Sequence, residues 1–204
     1  MIRAVPTVPR RFHGRYASWR PSDNGAVTRE PGPKTLSEDD RRLIATWAAD
    51  CAERVLALFE AATADDNRPR EAVLGLRAFA RGELRIGQAR TLAFAAHAAA
   101  REAQAPSAVA AARAAGQAVS TAHMAAHAFG AAAYAAKAAA VAAPDNPDSI
   151  TDEVRQQIAL IQPSVADALR QLPPLGRGSS STLAAVIRQV QDSFTPETRS
   201  STVR

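Results

Sequence analysis

Residues 106–143 read PSAVAAARAAGQAVSTAHMAAHAFGAAAYAAKAAAVAA. Pro106 suits the first turn of a helix, where its missing N–H has no intrahelical partner to lose, and alanine is the best helix former. Counting back to Ala89, about 30 of 55 residues are alanine. An unbroken helix of about 37 residues would reach ~55 Å at 1.5 Å per residue. That is long for a chain of 204 residues, so a kink or break is expected near Gly116 or Gly130. Small side chains let helix axes approach to about 8 Å, which places this segment at the centre of a tight bundle.

The neighbouring segments read as helices too. Leu36-Ser37-Glu38-Asp39-Asp40 is a helix start, with Ser37 as cap and three acids near the positive helix end. Leu43, Ile44, Trp47, Ala48, Cys51, Val55, Leu58, Phe59 and Ala62 then recur at the spacing of one amphipathic face. Asp65-Asp66-Asn67 closes that helix and Pro69 opens a second, which buries Ala72, Val73, Leu76, Phe79 and Ala80 and ends at Gly82. A third runs from about Gly87 to Ala103, with Leu92, Ala93, Ala96, Ala99, Ala100 and Ala103 inward. Pro144-Asp145-Asn146-Pro147 is a turn. A helix from Thr151 turns Val154, Ile158 and Ile161 inward and breaks at Pro163, and a short helix carrying Val165, Ala168, Leu169 and Leu172 follows. No window sustains strand alternation. The expected fold is all-α, an Ala-rich bundle of about five to seven helices.

Composition divides the chain into three parts: a basic tail (residues 1–34), the helical domain (35–172), and a linker with an appended segment (173–204). Their net charges are +5, −2 and +2, so the whole-chain +5 and pI near 10.3 arise at the ends. Only Lys34 and Lys137 are lysines among 25 basic residues, a codon bias of GC-rich bacterial genomes. Residues 1–34 combine five prolines with arginines interleaved among Phe12, Tyr16 and Trp19, and lack the apolar run of a secretory signal. Three readings stay open for them: a disordered tail, a nucleic-acid arm, or translation from an upstream start. Beyond the Pro173-Pro174 linker, Leu183, Val186, Ile187 and Val190 form the stripe of an appended amphipathic helix. The single cysteine excludes an internal disulfide and suits a reducing compartment, and no bulky apolar stretch is long enough to cross a membrane. A cytoplasmic location is expected.

On a helical wheel Arg113, Gln117, Ser120, His123, His127, Tyr134 and Lys137 fall within about 160° of one another, opposite Ala118, Ala122, Ala125, Phe129, Ala133 and Ala136. Such a stripe is either an internal hydrogen-bonded seam or an exposed groove; the internal seam is the expected reading. His123 and His127, four apart, can reach one ion. The pair lacks the Glu that follows the first His in metalloprotease helices, and His97 or Asp50 would have to complete the site. Two histidines on a polar seam are the simpler reading, with no metal and no cofactor expected. Cys51 lies on an inward face with no activating neighbour, a buried small residue rather than a nucleophile. Asp65 to Arg70 lacks the pattern of a calcium or phosphate loop and reads as a capping, ion-paired turn. No catalytic residue is assigned.

A series of segments taken in order carries more. It comprises Leu36 to Arg42, Trp47-Ala48-Ala49-Asp50-Cys51-Ala52-Glu53, Asp65-Asp66-Asn67-Arg68-Pro69-Arg70, Arg81-Gly82-Glu83, Ala95-Ala96-His97-Ala98-Ala99-Ala100-Arg101, and Ala114 to Gln117 running through His123 and His127 to Tyr134 and Lys137. Over about residues 36–172 the series resembles a family of putative immunity proteins from bacterial polymorphic toxin systems, frequent in actinobacteria. The resemblance implies a small cytoplasmic helical protein that binds and neutralises a cognate toxin. It makes Asp50, Cys51, Arg68, Arg70, His97, His123, His127 and Tyr134, together with Gln117 of the seam, candidates for a shared partner-binding site. Both ends of the chain depart from the family pattern.

The expected function is therefore non-catalytic toxin binding, and the mildly acidic central region would suit a basic toxin such as a nuclease. A metal-dependent enzyme built on His97, His123, His127 and Asp50 is the alternative, and nucleic-acid binding through the basic tails ranks third. Oligomeric state is left open.

Overall fold

The computed structural model describes residues 36–195. The readings made for the basic tail and for the chain beyond residue 195 lie outside the described residues. Eight helices and no strands occur among those described: α1 (Glu38–Glu60), α2 (Arg68–Ala80), α3 (Ile86–Glu102), α4 (Pro106–Ser120), α5 (His127–Ala142), α6 (Ser149–Ala159), α7 (Pro163–Arg170) and α8 (Thr182–Phe194). None is long and apolar enough to cross a membrane. The number exceeds the five to seven expected because the long alanine run is two helices.

Local chemistry sets the helix ends. Ser37 Oγ accepts from the Asp40 amide at 3.0 Å and donates to the Asp40 carboxylate at 2.7 Å, opening α1. Pro69 stands in the first turn of α2. That helix closes where the Gly82 amide donates to Phe79 O and the Glu83 amide to Ala78 O, with Gly82 at φ 79°.

The break in the run comes at Thr121–Ala126, not at either glycine. Amides of Thr121, Ala122 and His123 donate three residues back, to Ala118, Val119 and Ser120, and the chain reverses. The buried Arg41 of α1 fixes this turn, its Nε donating to Ala122 O at 3.0 Å while Nη1 donates to Leu36 O. Helices α4 and α5 then lie antiparallel. Gln117 reaches His127, and Val109, Ala110 and Arg113 share a groove with Tyr134, Lys137 and Val141. Folding back resolves the length problem, because each arm is about 23 Å long and its alanines bury against the other. The two glycines are sites of close approach instead. A Cβ on Gly116 would stand 2.5 Å from the His97 ring, and one on Gly130 2.5 Å from Gln117 Oε1.

Helix α4 is the hub, packed by α1, α2, α3 and α5. Its contribution to the core is almost wholly alanine: Ala108, Ala110, Ala111, Ala112, Ala114, Ala115 and Ala118 are all buried. The few large side chains concentrate on α1 and α2, where Trp47, Phe59, Phe79, Ile44, Leu56 and Leu76 are fully buried. Trp47 meets Phe129 of α5 edge-on with ring centroids 6.2 Å apart, and Phe194 of α8 stacks on Phe129 at 6.2 Å. A buried polar network crosses the same region. Trp47 Nε1 donates to Gln157 O at 2.9 Å, Gln157 Nε2 donates to Ala132 O and to Glu153, and Arg54 clasps Glu153 with two bonds of 2.8 and 2.9 Å. Helix α8 lies on α5, α6 and α7, burying Ala184, Val186 and Val190.

Candidate functional site

Helices α3, α4 and α5 are joined by short reversals, Ala103–Ala105 and Thr121–Ala126, so they lie side by side as a layer. The outward positions follow from helical spacing. On α3, Arg90, Phe94, His97 and Arg101 occur at i, i+4, i+7 and i+11, beside the buried Ala89, Ala93, Ala96 and Ala100. Between Val109 and Ser120, only Val109, Arg113 and Gln117 of α4 escape full burial. Gly130, Tyr134, Lys137 and Val141 form the corresponding stripe of α5.

Three histidines gather where the layer turns. His127 Nδ1 lies 2.8 Å from Gln117 Oε1; an amide oxygen only accepts, so that ring nitrogen carries the proton. The His123 and His127 rings stand 5.2 Å apart, and the His97 ring lies flush against Gly116. All three imidazoles are held below the ordinary histidine range, chiefly by burial. Arg113 and Arg101 push His97 further down, Arg90 and Arg41 act on His123, and the other two histidines act on His127. The rings are therefore neutral near pH 7. Nδ1 of His97 and Nδ1 of His123 are shielded from solvent and have no hydrogen-bond partner among the described residues. Ser120 is buried in the same region and donates to Gly116 O within its own helix. Beyond the histidines, a groove of about 500 Å³ between α4 and α5 carries Arg113, Tyr134 and Lys137.

The stripe predicted as one internal seam is thus divided by the reversal. Gln117, His123 and His127 form a half-buried cluster joined by His97, whereas Arg113, Tyr134 and Lys137 line an open groove. The other candidates lie apart from it. Asp50 pairs with Arg77 at 2.9 Å, and Arg70 holds Glu60 with two bonds. Arg68 bridges Asp66 and Glu102, tying the start of α2 to the end of α3; its charge keeps both carboxyls below their usual range. Arg68 and its two carboxylates border a broad depression of about 850 Å³ near the α1–α2 turn, which Asp65 and Glu71 also line. Cys51 is fully buried, and burial, with Glu153 and Asp50 adding, pushes its thiol well up. It has the environment of a packing residue.

The metal alternative needed Asp50 beside the histidines. Asp50 is engaged with Arg77, and no three His, Cys, Asp or Glu side chains among the described residues come together as a set that could hold an ion. Arg90, Phe94 and Arg101 share this layer and lie outside the candidate set. Phe94 is 70% exposed, more than any other large apolar side chain described. Its signal was present in the spacing, since Phe94 falls on the stripe of Arg90, His97 and Arg101 rather than on the alanine face. Charge is segregated as well. From Leu84 to Ala143 the only acid is Glu102, against Arg85, Arg90, Arg101, Arg113 and Lys137. The net −2 of the central region therefore conceals a cationic layer, which removes the acidic-surface argument for a basic toxin on this face.

The sequence model of one protein family, the Imm-5 like putative immunity protein, matches residues 34–164. The chain belongs to this family. The matched span of this Imm-5-like chain covers α1 to α6 and the first residues of α7, so the whole α3–α4–α5 layer falls inside it and α8 outside. No curated protein and no solved structure matches it.

Proposed function

We propose that the chain is an immunity protein that binds and neutralises a cognate toxin without chemistry, with residues 35–172 as the binding domain. The family match over residues 34–164 carries this reading. Two features of the fold support it. The lone thiol is buried and unactivated, and the histidines sit among arginines rather than beside a nucleophile or a carboxylate. The solvent-facing layer offers arginine, phenylalanine and methionine, with its one acid, Glu102, held by Arg68, and arginine, aromatic residues and methionine are the types enriched in protein interfaces. Co-expression with the polypeptide encoded by the adjacent gene tests the proposal. Rescue of a poisoned bacterial host with copurification of the two chains is the expected result, and absence of both would refute it.

A further inference from the structure

We infer that the outward face of α3, α4 and α5 is the docking surface for an acidic protein. Phe94 enters an apolar recess of that partner, and Arg90, Arg101, Arg113 and Lys137 meet its carboxylates. The inference rests on the immunity reading, which makes the partner the toxin.

Charge bookkeeping within the fold singles out this face. Arginines of α1 and α2, and Arg81 just after α2, are occupied: Arg41 holds two backbone carbonyls, Arg42 holds Glu38, Arg54 holds Glu153, Arg68 holds Asp66 and Glu102, Arg70 holds Glu60, Arg77 holds Asp50 and Glu53, and Arg81 holds Glu83. Arg90, Arg101, Arg113 and Lys137 have neither an ion pair nor a side-chain hydrogen bond among the described residues, and the one acid of the layer, Glu102, is taken by Arg68. A guanidinium presents five donors in a planar fork suited to a carboxylate. In the groove between α4 and α5, Arg113, the Tyr134 hydroxyl and the Lys137 ammonium supply donors of three kinds to one acidic side chain. Phe94 is fully placed for contact at 70% exposure, and Met124, at 44%, lies in the turn beside His123. Aromatic and arginine anchors of this kind dominate binding energy when desolvated at the centre of an interface.

A nucleic acid would also be drawn to four cations. Single-strand binding, however, uses successive aromatic platforms, whereas Phe94 is the single strongly exposed aromatic among the described residues and the three neutral histidines add no charge at pH 7. The composition fits a protein partner better.

The test is the affinity of the full chain for the adjacent-gene polypeptide, measured by calorimetry at two salt concentrations, with unfolding curves run on each variant. Arg90→Glu with Arg113→Glu should weaken binding by about 30-fold or more and flatten its salt dependence. Phe94→Ala should weaken it by about tenfold, and Arg155→Glu on α6 should leave it within about twofold. The milder pair Arg90→Gln and Arg113→Gln separates lost binding from lost folding, and should fold normally and still bind more weakly. Face variants that bind as tightly as the unaltered chain, while that chain still protects the host, would overturn this surface and leave the immunity reading standing. An unaltered chain that neither binds nor protects would overturn both. Binding of a mixed-sequence DNA duplex that depends on the same arginines would overturn the acidic-protein partner.

Discussion

Gly116 is a position where helix propensity and packing make opposite forecasts. Propensity alone says that Gly116→Ala stabilises an interior helical site by about 1 kcal/mol. The added Cβ, however, would lie 2.5 Å from the ring of His97, which is planar and backed by α3. Overpacking of this kind costs about 1–3 kcal/mol, so the substitution is expected to lower stability in a urea titration. Adding His97→Ala should recover most of the loss; a stabilised single variant would show that the ring moves aside freely. The three histidines also set a pH dependence. Their pKa values are lowered in the fold, so the unfolded chain takes up protons more readily. Stability from this source is complete above the ordinary value of 6.5 and is lost as pH falls from there through the folded values. The facing charges, Arg41, Arg90, Arg101 and Arg113, all act in the same direction. Melting temperature should therefore fall between about pH 7 and 5, before the carboxylates near pH 4 contribute. His127→Gln, which cannot take up that proton, should show a shallower fall, and an unchanged slope would contradict the assignment.

At the scale of elements, the reversal at Thr121–Ala126 governs the architecture. Arg41→Ala removes two charge-assisted bonds to backbone carbonyls, one of them in this turn. The expected cost is about 2 kcal/mol, with faster amide exchange at residues 121–126 than elsewhere in α4 and α5. The helices themselves were legible in the sequence. Ser37, Pro69, Pro106 and Pro163 mark starts by known chemistry, and the stripe of α1 from Ile44 to Phe59 is the one that is buried. The reversal was not legible. No proline or glycine interrupts residues 121–126, alanine continues on both sides, and the apolar period runs through the turn without losing phase. The turn is fixed by Arg41, eighty-one residues away in the chain, which local patterning does not register. The same blindness explains the divided seam, since a wheel drawn through a reversal places residues together that belong to two antiparallel helices. Helix α8, outside the family span, is held by Val186, Val190 and the Phe194–Phe129 stack. Val190→Ala should cost about 2 kcal/mol in denaturant unfolding; no measurable cost would mean that α8 does not belong to the cooperative core.

For the whole molecule, the distribution of charge matters more than its total. A pI near 10.3 points toward polyanions, a central region of net −2 points away, and neither describes the α3–α4–α5 layer, which carries four unpaired cations and an exposed phenylalanine. The candidate site was partly legible for the same reason. Gln117, His97, His123 and His127 were named and do converge, and Tyr134 lies in the neighbouring groove. Asp50 was drawn to Arg77, and Arg68 and Arg70 to the carboxylates of Glu102 and Glu60, pairings that depend on tertiary neighbours. Phe94 received no reading, although its place on the stripe of Arg90, His97 and Arg101 sets it apart from the alanine face. On the proposed reading this chain acts by occupying its partner. The most direct test is to titrate the purified toxin with the purified full-length chain and follow toxin activity. Activity should fall linearly and vanish at a fixed stoichiometric ratio, with no change in the covalent mass of either protein. Inactivation by far less than stoichiometric amounts, or full toxin activity in the presence of excess chain, would contradict it.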